Sequence, residues 1–172
     1  MNLKVNKSFY TRDSLIVARE LLGKEIVYKD KEALIVETEA YTTNDPGSHA
    51  YKKRTKRNSV MYEEGGRLYV YLCYGMYNLM NIVTDKKGVP SAVLIRAVEP
   101  LNFEAKTNGP GLLTKALGIS REHNGLEIGK EFMIKKGIKP RVVVQTTRVG
   151  LSRGSELPYR FYIKDNPYIS RK

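Results

Sequence analysis

From Glu25 to Glu99 the chain is written in strand-length runs, and that pattern limits the folds open to it more than any other feature. Glu25-Ile26-Val27-Tyr28 precedes a charged turn, Lys29 to Glu32, and a β-rich run from Ala33 to Tyr41 follows; together they read as a hairpin. Leu68 to Cys73, dense in aromatic and branched residues, is a third strand. Met80 to Thr84, the turn Asp85-Lys86-Lys87-Gly88 and Ser91 to Glu99 read as a second hairpin. Strands joined by such short turns run antiparallel.

Helices are few. The first spans Ser14 to Leu22, with Asp13 as N-cap and Gly23 as stop, and Leu15, Ala18, Leu21 and Leu22 face the core at helical spacing. Gly109-Pro110-Gly111 opens a second short helix, Leu112 to Leu117, which Gly118 ends. Leu126 to Ile134 and Arg141 to Gln145 read as later strands, and the stretch from Arg141 to Lys172 as basic and irregular. The expected fold class is α+β: a single domain over residues 1–172, mainly an antiparallel β-sheet with several short helices. Area scaling gives a chain of this length roughly 8,500 Å² of folded surface against roughly 28,000 Å² unfolded, so a substantial core is available.

Charge narrows the partners. The chain carries 30 Lys and Arg against 18 Asp and Glu, a formal +12, which biases it toward polyanions: nucleic acid first, an anionic membrane surface second. One cysteine, Cys73, excludes an intramolecular disulfide. With only His49 and His123 beside it, a cysteine-rich zinc site is excluded too. Met1-Asn2-Leu3-Lys4-Val5 lacks the apolar core of a signal peptide, and no run approaches the ~20 apolar residues of a membrane span. The chain reads as soluble and cytoplasmic, nucleoid-associated if its source is bacterial.

Five clusters have residue types that can carry chemistry. In Val36-Glu37-Thr38-Glu39-Ala40-Tyr41, strand alternation points Glu37, Glu39 and Tyr41 to one face. Two neighbouring, partly desolvated carboxylates raise each other's pKa, and one can then act as general acid or base; on spacing alone a solvated strand face explains them as well. From Leu68 to Tyr77 four tyrosines fall within nine residues, with Tyr69 and Tyr71 on one strand face and Tyr74 beyond it at Gly75. They suit either a half-buried sheet face or a surface that stacks on unpaired bases. His49 sits in the turn-rich loop after the glutamate strand, whereas His123 reads as an exposed turn residue without a role. Lys52-Lys53-Arg54-Thr55-Lys56-Arg57 puts five cations in six residues between the carboxylate and tyrosine strands, either a solvated face or a phosphate-binding one. Arg96 is a lone charge inside the apolar strand Val93 to Val98, so it pairs with an acid such as Glu37 or Glu39 or borders a site. No Walker A loop, dinucleotide fingerprint or nucleophile elbow occurs.

Several stretches together resemble the alkyladenine (3-methyladenine) DNA glycosylases of the methylpurine type. They are Ile35 to Tyr41, Leu68 to Tyr71 continuing through Tyr74-Gly75-Met76-Tyr77 to Asn81, and Val93 to Pro100. Asn108-Gly109-Pro110 with Leu117-Gly118-Ile119, and Arg160-Phe161-Tyr162, complete the set in family order over nearly the whole chain. The resemblance implies a base-flipping enzyme acting on double-stranded damaged DNA in base excision repair. It implies Glu39 as the general base that activates water against the sugar C1′, with Arg96 beside it and beside the target phosphate. Tyr41, His49 and Tyr71 would wall the flipped base, Asn81 would line the pocket floor, and Tyr74 would be the wedge inserted into the gap left in the stack. Lys53, Arg54 and Arg57 are the expected backbone contacts. No lysine holds a nucleophile's position, so the expectation is a monofunctional enzyme with no metal or cofactor, a monomer, and no membrane partner. The segment from Pro100 to Asn108 is short where the family commonly carries another helix. The alternatives are a non-catalytic nucleic-acid binder, in which Glu39 is structural, and a membrane-surface protein, which lacks an amphipathic basic helix.

Overall fold

A computed structural model describes residues 3–172; Met1 and Asn2, the first residues of the stretch read for a signal peptide, lie outside the described residues. The strands are β1 (Glu25–Tyr28), β2 (Lys31–Tyr41), β3 (Leu68–Cys73), β4 (Tyr77–Val83), β5 (Ala92–Pro100), β6 (Phe132–Lys135), β7 (Val143–Thr146) and β8 (Arg160–Ile163). The helices are α1 (Lys7–Tyr10), α2 (Ser14–Leu21) and α3 (Pro110–Leu117). All strand pairings are antiparallel, in the order β3-β4-β5-β2-β1-β6, with β8 joining β2 to β7. The α+β expectation is met, and the exposed surface of 9169 Å² is close to that expected for the length.

The sheet's two faces do different work. On one, α2 and α3 bury Val17, Ala18, Leu21, Leu113 and Leu117 against Ala33, Ile35, Ala40, Met80, Ile82, Val93 and Ile95. Asp13 starts α2 by accepting the Leu15 amide at 2.8 Å, and Gly118 (φ 77°) ends α3 in the left-handed region where glycine is favoured. The other face carries the polar residues. Thr38, on the core side, satisfies its hydroxyl on the Ala18 carbonyl at 2.8 Å and so ties β2 to α2.

Two register shifts decide which residues reach which face. Ile35 pairs with Val98, Glu37 with Ala97 and Thr38 with Ile95, so Val36 is an extra residue on β2 and Arg96 an extra residue on β5. Ala33 and Ile35 point into the core, as do Thr38 and Ala40, whereas Val36, Glu37, Glu39 and Tyr41 point the other way. Glu37, Glu39 and Tyr41 therefore share a face, as alternation requires, but the bulge takes them out of phase with Ile35. Bulges of this kind re-aim side chains and concentrate beside functional sites.

Several boundaries differ from expectation. The run Leu126–Ile134 is a strand only from Phe132; its first half forms turns and isolated bridges, Arg67 to Glu127 and Ile128 to Phe132. The stretch after Arg141 is irregular except for two short strands, β7, close to the expected Arg141–Gln145 strand, and β8, which was not expected and pairs with Glu37–Glu39 of β2. The hairpin strands run 77–83 and 92–100, and β2 begins at Lys31. His123 is not an exposed turn residue: it is half-buried, lies 2.6 Å from the Tyr28 hydroxyl and forms a reciprocal cap with Ser120.

Candidate active site

The register lines up one residue from each of four strands on the polar face. Glu39 (β2) faces Leu94 (β5), Leu94 faces Asn81 (β4), and Asn81 faces Tyr69 (β3). Glu39 and Leu94, 55 residues apart in sequence, thus become neighbours through backbone pairing alone.

Both glutamates are fully buried, which goes further than the partial desolvation expected from sequence. Their partners separate their roles. Glu37 accepts from Arg160 Nη1 at 2.7 Å and from the Ser170 amide at 2.8 Å, so it holds the C-terminal segment onto β2. Glu39 accepts from the Tyr41 hydroxyl at 2.9 Å on one oxygen and from the Val149 amide at 2.8 Å on the other. Each of its oxygens keeps a second lone pair. Arg96 reaches both acids, with Nε 4.0 Å from Glu37 and Nη1 3.7 Å from Glu39, so pairing and bordering a site are the same fact. The bulge at Arg96 makes this reach possible. Burial raises the Glu39 pKa above the usual carboxylate range, against the opposing pull of Arg96, the Val149 amide and the Tyr41 hydroxyl.

Beside this carboxylate lies an aromatic cavity lined by Tyr41, His49, Tyr69, Tyr71, Asn81 and Met61, with Gly47, Ala92 and Leu151 completing it. His49 and Tyr71 are in ring contact, with centroids 4.3 Å apart, and the His49 Nδ1 lies 3.0 Å from the Tyr69 hydroxyl. Desolvation and the nearby Arg57 push the His49 pKa below its ordinary value, which favours the neutral ring. Burial pushes the Tyr69 hydroxyl up to about 12 and the Tyr41 and Tyr71 hydroxyls higher still, so all three remain donors at neutral pH. Asn81 is buried and spends one amide hydrogen on the Tyr69 carbonyl at 3.2 Å.

Tyr74 stands at the tip of the β3–β4 hairpin, 89% exposed. It and Gly75 both have positive φ (52° and 64°), and the Met76 amide donates to the Cys73 carbonyl at 3.1 Å. A tyrosine in this conformation is strained; asparagine or glycine is the usual occupant. The ring is held out in solvent at a cost in stability, with Met76 and Tyr77 exposed beside it.

Lys53, Arg54 and Arg57 are exposed, as expected. Arg57 donates to the Leu72 carbonyl at 3.1 Å and lies 5.5 Å from the Tyr71 ring centroid, while Arg54 lies over Tyr62. Lys56, Arg57 and Arg121 line a cleft that shares Tyr71 with the aromatic cavity. Every candidate from β2 to β5 therefore gathers on one face, with the hairpin tip and the basic loop at its margin.

Sequence reasoning put Tyr69 on one strand face with Tyr71 but gave it no place in the pocket, and it missed Met61, Leu151, Val149, Arg121, Arg160 and the Asp45–Arg148 pair. Tyr69 was legible from its phase with Tyr71. The others come from loops or the C-terminal segment, and no periodicity links them to β2. Among the described residues no three His, Cys, Asp or Glu side chains converge as a metal-binding group.

Residues 8–167 match the family model described as methylpurine-DNA glycosylase. A Legionella pneumophila (strain Corby) protein, provisionally named a 3-methyladenine DNA glycosylase, is 45% identical over 180 aligned residues that cover 98% of both chains. A Clostridium novyi protein of the same provisional name is 41% identical over 199 aligned residues, 98% of this chain and 99% of its own. One from Methanoculleus marisnigri is 38% identical over 187, covering 96% and 97%. A curled antiparallel sheet presenting a buried carboxylate beside an aromatic cavity is, with these matches, that of a DNA glycosylase, a hydrolase of N-glycosyl bonds. Within that class the chain belongs to the methylpurine-DNA glycosylase family.

Proposed function

We propose that the protein excises alkylated purines, 3-methyladenine and its relatives, from double-stranded DNA by flipping the damaged nucleotide and hydrolysing its N-glycosidic bond. A base inside the stack cannot be reached by a carboxylate on a sheet face, so it must be extruded. Tyr41 forms one wall around it and His49 with Tyr71 the other; Asn81 forms the floor, where its amide crowds a 2-amino group. Tyr74 enters the gap in the stack. Lys53, Arg54, Arg57 and Arg121 take the flanking phosphates.

Glu39 is the general base. A water on its free lone pair attacks the sugar C1′ while the C1′–N bond breaks. The bonding electrons leave with the purine, which neutralises an alkylated base, and the water's proton passes to Glu39. The product is an abasic site. Arg96 holds the Glu39 carboxylate ionised against its burial and meets the target phosphate. The alkylated purine is cationic, so tyrosine π-faces attract it, and its charge already weakens the bond; positioning and one base supply the rest. No lysine is needed as nucleophile, so the strand is left uncut. The whole chain acts as one domain, as a monomer, without cofactor, in the cytoplasm; no helix among the described residues is long and apolar enough to cross a membrane.

The observation that supports this reading best is the placement of Glu39. It is fully buried, bonded to a cavity-lining tyrosine and 3.7 Å from a cation that favours its charge. The test is release of free 3-methyladenine from methylated duplex by wild type and Glu39→Gln. Release by wild type alone is expected, with DNA binding retained in both. Release by both would remove Glu39 from its role.

A further inference from the structure

Against Tyr41 lies a further buried ion pair that the excision chemistry does not use. Arg148 and Asp45 both have fully buried side chains. The Arg148 guanidinium donates to both Asp45 oxygens, Nη2 to Oδ1 at 2.7 Å, and to the carbonyls of Ala40 at 2.9 Å and Gly154 at 3.1 Å. Its central carbon lies 4.7 Å from the Tyr41 ring centroid and 5.1 Å from that of Tyr159. Arg148 does not line the cavity, whereas Tyr41 does. Tyr41 therefore touches both a fixed cation and the space that the proposed base would fill.

An aromatic ring attracts a cation through the negative charge on its face. A cation already seated against the ring draws that charge toward itself and repels a second cation brought to the same ring. The Asp45 carboxylate cancels most of this effect. We propose that the Asp45–Arg148 pair sets how strongly the Tyr41 wall prefers a positively charged purine over a neutral one. This rests on the reading of Tyr41 as a base wall. Arg148 and Asp45 are then specificity-determining residues acting through Tyr41, and they touch no reacting atom.

The two halves of the pair predict opposite shifts. Arg148→Gln removes the cation and leaves Asp45 negative, so preference for a cationic base rises. Asp45→Asn leaves Arg148 uncompensated, so preference falls. The measurement is the ratio of Kd for a duplex bearing hypoxanthine, which is neutral, to Kd for one bearing 3-methyladenine. It is made in a Glu39→Gln background so that no base is lost. Each variant is expected to move the ratio about fivefold, the change that ~1 kcal/mol of cation–π attraction corresponds to. Arg148→Lys, which keeps the charge, should leave the ratio at the parent value even if both affinities fall. If Arg148→Gln does not fold, Asp45→Asn against Arg148→Lys still reads the sign. Equal loss of both affinities with an unchanged ratio, or a shift in the same direction from both halves, would overturn the proposal in favour of a purely structural clasp. If the parent protein binds neither lesion more tightly than undamaged duplex, and wild type releases no base, the base-wall reading fails instead.

Discussion

Replacing Tyr74 with asparagine should make the protein more stable and less active at once. Tyr74 occupies the left-handed region at φ 52°, next to Gly75 at 64°. Holding a non-glycine residue there costs about 1–2 kcal/mol, and asparagine is among the residues that escape most of it. The ring is 89% exposed, so little packing is lost with it. Asn-Gly is also the favoured pair for a turn with positive φ at both central positions. The expected gain is about 1 kcal/mol, which for a chain of this size raises Tm by roughly 2–4 °C with an unchanged urea m-value. Activity should move the other way. If Tyr74 fills the gap left by the flipped base, its loss forfeits one aromatic–base stack, ~1–3 kcal/mol, or roughly a 5- to 150-fold slower single-turnover release. The assays are thermal and urea unfolding alongside single-turnover excision on one preparation. A variant that is less stable, or that excises at the wild-type rate, would refute the claim that the hairpin stores strain to present a wedge.

Excision should fall as pH drops through the Glu39 pKa, with a midpoint above the usual carboxylate range because burial raises that pKa; a single-turnover pH profile reads it, and a limb at an ordinary carboxylate pKa would contradict it. The same shift has a stability sign. A raised folded pKa favours folding at low pH and loses that contribution as pH rises through it, so Glu39→Gln should gain stability over wild type from acid to neutral pH, measured by parallel melts. Arg160→Met strands the fully buried Glu37, whose other cation is 4.0 Å away, and should cost about 3–5 kcal/mol in urea unfolding; a loss under ~1 kcal/mol would mean the C-terminal segment is held by other contacts. Gly111→Ala puts a Cβ 2.6 Å from the Tyr77 ring at the turn end of the β3–β4 hairpin, so a destabilisation of ~1–3 kcal/mol is expected from overpacking. Arg57→Gln should lower the slope of log K against log salt for DNA binding by about 0.9, and an unchanged slope would remove it from the phosphate contacts.

Much of the candidate site was legible in the residues themselves. The runs Leu68–Cys73 and Ala33–Tyr41 declare strands by β-branched and aromatic density. Asp13 and Gly118 mark helix ends through capping and left-handed geometry. A carboxylate strand, a tyrosine strand and an intervening basic loop are visible as chemistry before any fold exists. These are properties of one residue and its near neighbours, and short-range sterics and hydrogen bonding set them. Which carboxylate is the candidate base was not legible from them, because Glu37 and Glu39 share a strand, a face and complete burial. Partners more than a hundred residues away separate them: Arg160 and Ser170 take Glu37, and Val149 takes one oxygen of Glu39. Strict alternation would also have kept both glutamates in phase with Ile35, on the face buried under α2. Only the paired bulges at Val36 and Arg96 turn them to the other side and bring an arginine to them. A bulge leaves no periodicity of its own, since it is the compromise between two strands that must each bury an apolar face and still pair. The sequence by itself therefore determined the strands and the kinds of side chain available. The tertiary structure alone decided which of them meet, because side chains more than a hundred residues apart become neighbours only when the sheet closes.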